Sequence, residues 1–140
     1  MGNFCCCEDI PEPKVAEFLK PAKYSGAVPT RFVVLKDGKI EYFAQKDKLS
    51  TDPFKGTELK GFINLYEYML ERNPKNPLML NFVRSMRKTR KSDDAEFMPT
   101  STRLDNYEFQ CKSLTERNEW VAAIEKHTAY CIRTFYSNSN

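Results

Sequence analysis

One change of period divides this chain and limits what it can fold into. As far as Lys112, apolar residues come in short runs rich in β-branched and aromatic side chains, cut by turn signals. Beyond that point Trp120, Ile124, His127 and Cys131 recur at helical spacing, with Ala123 beside them. Such spacing gathers apolar side chains on one helix face. No Gly or Pro interrupts from Leu114 to Tyr136. Ser113 and Glu116 stand where a capping box requires them, and Thr115 is an alternative N-cap. The pattern predicts a helix from about Thr115 to Ile132, closing a mainly β domain.

The short runs read as strands. Val15–Lys20 is followed by a loop over Pro21–Pro29. Arg31–Leu35 and Ile40–Ala44 flank Asp37-Gly38, a strong hairpin signal. Gln45–Lys60 is polar, contains Pro53 and Gly56, and is expected to be a long loop. Gly61–Leu65 reads as a strand, with Tyr66–Leu70 pairing next or turning helical. Asn73–Pro77 is a turn, Leu78–Val83 a buried strand, Arg84–Arg103 a long polar loop, and Tyr107–Lys112 the last strand. The domain is expected over residues 15–135, with a flexible tail over 136–140.

A chain of 140 residues suits one domain. Apolar residues make up 41% and charged residues 29%, which favours a globular fold over disorder. No apolar run approaches the roughly 20 residues of a spanning helix, and no segment reads as a secretory signal. The protein is therefore expected on the cytosolic face of a membrane, where thiols stay reduced. The membrane itself enters through the amino end, Met-Gly-Asn-Phe-Cys-Cys-Cys. Removal of Met1 exposes Gly2 for myristoylation, and Cys5, Cys6 and Cys7 are placed for palmitoylation. The usual sixth-position Ser or Thr is Cys6 here, so the match to the myristoylation pattern is partial. Adjacent cysteines have poor geometry for pairing with each other, and structural zinc sites use spaced pairs. One myristoyl chain binds a membrane weakly, so a second signal is needed for stable residence. Residues 8–14, with Pro11 and Pro13, form an extended linker that reaches about 25 Å at most.

Three segments carry a resemblance. Arg31–Phe43 resembles the second hairpin of a pleckstrin-homology domain, Lys60–Leu65 its fourth strand, and Glu119–Ile124 its closing helix. The resemblance implies a seven-stranded bent sandwich or barrel capped by one C-terminal helix, with Trp120 as the core anchor. The amino end directly before such a domain is similar to the inner membrane complex sub-compartment proteins of apicomplexan parasites. That family implies myristoylation and palmitoylation, residence in a sub-region of the inner membrane complex, and roles in cell polarity and daughter-cell formation. It also implies partners among inner membrane complex or cortical cytoskeleton proteins.

Lipid-reading domains of this type hold inositol phosphates with Lys late in the first strand and Lys/Arg-x-Arg opening the second. Lys20 and Arg31 match the outer positions, but Pro29 takes the middle one. Proline brings neither charge nor N–H, and a phosphate site needs several convergent donors. Lys23 is a substitute cation. Arg84, Arg87, Lys88, Arg90 and Lys91 form a basic stretch followed by Asp93, Asp94 and Glu96. It is either a solvated loop or a contact for anionic lipid or an acidic partner, each near-surface cation contributing about 1 kcal/mol at a membrane. A net charge of +3 lacks the basic footprint of a nucleic-acid binder.

No catalytic constellation is expected. His127 is the only histidine and falls on the apolar helix face. Cys111 and Cys131 read as small buried hydrophobes. There is no Gly-rich phosphate loop, so no small-molecule substrate, metal or cofactor is expected beyond the covalent acyl groups. Two functions follow from these residues: an acylated protein-interaction scaffold, or a membrane-anchored reader of phosphoinositides or other anionic lipids.

Overall fold

The computed structural model describes residues 10–22, 25–84 and 106–138. Seven antiparallel strands precede one helix: β1 (Lys14–Leu19), β2 (Thr30–Lys36), β3 (Lys39–Lys46), β4 (Gly56–Asn64), β5 (Tyr68–Glu71), β6 (Met79–Arg84), β7 (Tyr107–Gln110) and α1 (Leu114–Asn138). The sheet order is β4-β3-β2-β1-β7-β6-β5. β1 pairs with β2 along its whole length but meets β7 only at Leu19↔Gln110. That narrow seam lets the sheet bend over itself. Val33, Leu35, Ile40 and Ile63 of β2–β4 share one core with Tyr68, Leu80, Phe82 and Phe109 of β5–β7.

The bent sheet has two ends. Leu35 pairs with Lys14 and with Ile40, so the β2–β3 turn and the start of β1 lie together. Thr30 pairs with Leu19, and Lys46 with Gly56, so the β1–β2 and β3–β4 loops lie at the other end. Helix α1 closes the first of these. Trp120, 1% exposed, stacks edge-on against Phe18 with centroids 4.9 Å apart, and Ile124 and His127 follow on the same face. Burying an indole removes roughly 150–250 Å² from water, or about 4–6 kcal/mol of gross transfer energy. No helix among the described residues is long and apolar enough to cross a membrane.

Several boundaries differ from the sequence expectation. The polar stretch Gln45–Lys60 is loop only over residues 47–55, because β3 runs on to Lys46 and β4 starts at Gly56. β4 is an edge strand exposed over Thr57–Lys60, so no apolar alternation marks it. It also carries an extra residue between the pairs Tyr42↔Gly61 and Phe43↔Leu59, a bulge that shifts its period. Leu65–Glu67 form a turn in place of continuous strand: the Asn64 side-chain oxygen accepts from Tyr66 N–H at 3.0 Å, and its carbonyl accepts from Glu67 N–H at 2.9 Å. Cys111 and Lys112 lie beyond the last strand, which ends at Gln110.

Helix α1 begins at Leu114 and continues to Asn138, past the predicted end at Ile132. Ser113 is the N-cap: its hydroxyl accepts from Glu116 N–H at 3.1 Å, while Glu116 Oε1 accepts from Lys112 N–H at 2.9 Å. Thr115 is therefore inside the first turn. The far end runs on because nothing between Ile132 and Asn138 stops a helix.

Candidate functional site

At the open end of the sheet, β1 leads into its loop through Lys20 and β2 begins with Thr30 and Arg31. The Lys20 N–H donates to the Pro29 carbonyl at 2.8 Å, which pins the base of the loop. Pro29 thus serves through its carbonyl, the one backbone group it can offer. The Lys20 ammonium lies over three rings, 5.4 Å from Tyr42, 5.7 Å from Tyr107 and 5.6 Å from Phe109. Arg31 alternates with Val33 and Leu35, so it shares the inner face of β2, and it donates to the Thr30 carbonyl at 3.3 Å. Arg84, ending β6, pairs with Glu67 at 3.4 Å and stacks over Tyr68 at 5.3 Å. Three tyrosines connect these cations: Tyr107 lies 6.2 Å from Tyr42 and 5.6 Å from Tyr68, edge to face.

Burial dominates the electrostatics of this cluster. It pushes the Tyr42 hydroxyl from 10.0 up to about 12, with Tyr107 adding to the rise and Arg31 opposing it. Tyr42 therefore stays a neutral phenol in the physiological range. The arrangement is an aromatic floor under cations. Cation–π contacts contribute about 0.5–1 kcal/mol at exposed sites and about 2 when desolvated.

Lys20, Arg31 and Arg84 are brought to one end of the domain. Lys23, Arg87, Lys88, Arg90 and Lys91 lie outside the described residues, as do Gly2, Cys5, Cys6 and Cys7 and the acidic Asp93, Asp94 and Glu96. Trp120 is buried in the core between Phe18, 4.9 Å away, and the Lys14 ammonium, 5.9 Å from its ring. Cys111 is buried, and that burial, reinforced by the Glu116 carboxylate, pushes its thiol up to about 12. Cys131 is half-buried against Gly38. Among the described residues no cluster of His, Cys, Asp or Glu is arranged to hold a metal.

The second functional feature is one that residue spacing did not indicate. His127 is 1% exposed, and both its ring nitrogens are used. The Gly38 N–H donates to Nδ1 at 3.2 Å, which leaves Nε2 to carry the proton and donate to the Glu12 carbonyl at 2.9 Å. The histidine thus ties the linker, the β2–β3 turn and the helix together. Lys14 continues the contact with its ammonium 5.9 Å from the Trp120 ring. Ile10, Pro11 and Glu12 line one groove with Ala122, Ala123 and Lys126 of α1. A lone histidine on an apolar helix face signalled burial; its backbone partner 115 residues away could not be read from spacing.

Comparison with known proteins agrees with this geometry. The PH domain family model matches residues 17–129. No curated protein matches the chain. Among solved structures, the solution structure of the PH domain of human oxysterol-binding protein-related protein 11 is similar, with a TM-score of 0.61 at 15% identity over 88% of this chain and 85% of that one. The pleckstrin homology domain of human KIAA0053 protein is similar with a TM-score of 0.57 at 17% identity, over 90% and 95% of the two chains. The C-terminal PH domain of pleckstrin, solved in complex with D-myo-Ins(1,2,3,4,5)P5, follows with a TM-score of 0.52 at 17% identity, over 81% and 95%. At such identities the structural likeness establishes the fold alone, but the family model spans most of the chain. Seven antiparallel strands, one capping helix and that match together place this chain in the PH domain family.

Proposed function

We propose that this chain is an acylated, non-enzymatic scaffold that holds a protein-interaction domain at one membrane. PH domains are in general non-catalytic modules that bind lipids or proteins. The observation that carries the scaffold reading is the engagement of Lys20 and Arg84 within the domain. Lys20 rests on aromatic rings, Arg84 pairs with Glu67, and Pro29 supplies neither charge nor N–H where a phosphate site would want a cation. Drawing Lys20 onto a phosphate would forfeit up to about 2 kcal/mol of cation–π attraction. Membrane residence then falls to a myristoyl group on Gly2 and palmitoyl groups on Cys5, Cys6 and Cys7. The amino end's likeness to apicomplexan inner membrane complex sub-compartment proteins supports a place in that membrane system. It also supports partners among its cortical proteins and a part in cell polarity and daughter-cell formation.

One observation favours a second reading: Lys20, Arg31 and Tyr42 converge at the open end, where an inositol phosphate headgroup would contact them. Calorimetry of the full chain with soluble inositol phosphates separates the two. The scaffold reading expects no binding tighter than tens of micromolar, and submicromolar binding would overturn it. The anchor is tested by metabolic labelling with an alkyne myristate: Gly2→Ala should abolish incorporation and release the protein from membranes.

A further inference from the structure

The linker between the acylated residues and the domain is docked, and that bears on which way the domain faces. Glu12 is held by the buried His127 through its carbonyl, and Ile10, 62% exposed, and Pro11 form one wall of the groove beside α1. This groove is at the capped end, because His127 also receives the Gly38 N–H of the β2–β3 turn. Two prolines, Pro11 and Pro13, restrict the docked segment further.

The reach of the remaining chain is short. At most about 3.6 Å per residue, Cys7 lies within about 11 Å of Ile10 and Cys6 within about 14 Å. β1 alone runs from Lys14 to Leu19, roughly 17 Å at 3.3 Å per residue, before its loop begins. Cys6 and Cys7 therefore cannot reach the plane of the open-end loops while the linker stays docked. Undocking would take the Glu12 carbonyl from Nε2 and leave that buried N–H to find another partner, while Nδ1 keeps the Gly38 N–H, and the lost bond opposes release.

We infer that the docked linker orients the domain on the bilayer, with α1 and the capped end toward the lipid and the β1–β2 and β3–β4 loops away from it. This rests on the acylated-anchor reading. It separates the two halves of the molecule by task. The surface beside Lys14, Lys126 and Arg133 faces headgroups, while Lys20, Arg31 and the exposed Val28 and Leu49 face soluble partners.

The orientation is measurable without relying on cellular acylation. The full chain carrying Cys131→Ser, which removes the half-buried thiol of α1, is coupled through Cys5, Cys6 and Cys7 to maleimide-headgroup lipid in phosphatidylcholine nanodiscs that contain a gadolinium-chelate lipid. Amide signals are then compared with those in nanodiscs lacking gadolinium. Signals of residues 10–14 and 122–133 should lose most of their intensity, and those of 25–29 and 48–54 should lose several-fold less. Equal or greater loss over 48–54 would overturn the orientation. In a second chain, 12 Gly-Ser residues are inserted between Cys7 and Glu8. That insertion leaves the core and the His127 contact intact but lengthens the reach to about 54 Å. The difference between the two ends should then disappear, and a persisting bias would show that the linker does not set it. If cells fail to acylate Gly2, the anchor reading fails while the coupled-nanodisc result stands.

Discussion

Replacing Gly38 by Ala should destabilise the fold far more than the same change at Gly26, although both glycines have nearly the same backbone conformation. Their φ angles are 81° and 79°. A left-handed conformation costs a residue with a Cβ about 1–2 kcal/mol, so both substitutions carry that penalty. The surroundings differ. Among the described residues nothing lies within 4 Å of a Cβ at Gly26, whereas at Gly38 it would meet Cys131 Cβ at 2.8 Å and Sγ at 3.2 Å. Overpacking of this kind adds about 1–3 kcal/mol. Any shift that relieves it also strains the Gly38 N–H bond to His127. The expected losses are about 1–2 kcal/mol for Gly26→Ala and about 3 kcal/mol for Gly38→Ala. With a slope of about 1.5 kcal/mol per molar urea, these lower the unfolding midpoint by roughly 1 M and 2 M. Cys131→Ala in the Gly38→Ala background should restore little, because it removes the farther sulfur and leaves the nearer Cβ. Equal midpoints for Gly26→Ala and Gly38→Ala would refute the close-packing argument and leave only the backbone term.

Further outcomes follow from the same structure. Trp120→Ala empties the core beside Phe18 and should cost about 3–5 kcal/mol in urea unfolding; an unchanged midpoint would remove Trp120 from the core. Ser113→Ala deletes the hydroxyl that caps α1 and should cost about 1 kcal/mol, with Thr at this position restoring most of it; a loss in Thr115→Ala of the same size would move the cap. Stability should fall between pH 9 and 12. Burial raises Cys111 from 9.0 and Tyr42 from 10.0 to about 12, so the folded chain keeps protons that the unfolded chain has already released. Stability is complete below pH 9 on this account, and Tyr42→Phe should flatten the decline above pH 10. Urea midpoints constant from pH 8.5 to 11 would contradict it.

Much of the fold was legible because it depends on local pattern. Asp37-Gly38 forms a two-residue turn with both φ values positive, as Asp-Gly before a returning strand requires. The helix face of Trp120, Ile124 and His127 is buried as its spacing implied. The start of β4 was not legible: its exposed edge and its bulge erase the alternation on which strand recognition depends. At the candidate site, the types and chain positions of Lys20 and Arg31 were visible. That Lys20 settles on the rings of Tyr42, Tyr107 and Phe109 was not, because those rings come from two other strands.

By itself the sequence determined the order of strands and helix, the hairpin turn and the helix cap. Each rests on residues within a few positions of one another, where backbone geometry and side-chain chemistry act locally. Only the tertiary structure decided where Lys20 points and what His127 holds. It also decided where the linker lies. Those outcomes come from contacts between distant segments, where burial selects partners that no local pattern encodes.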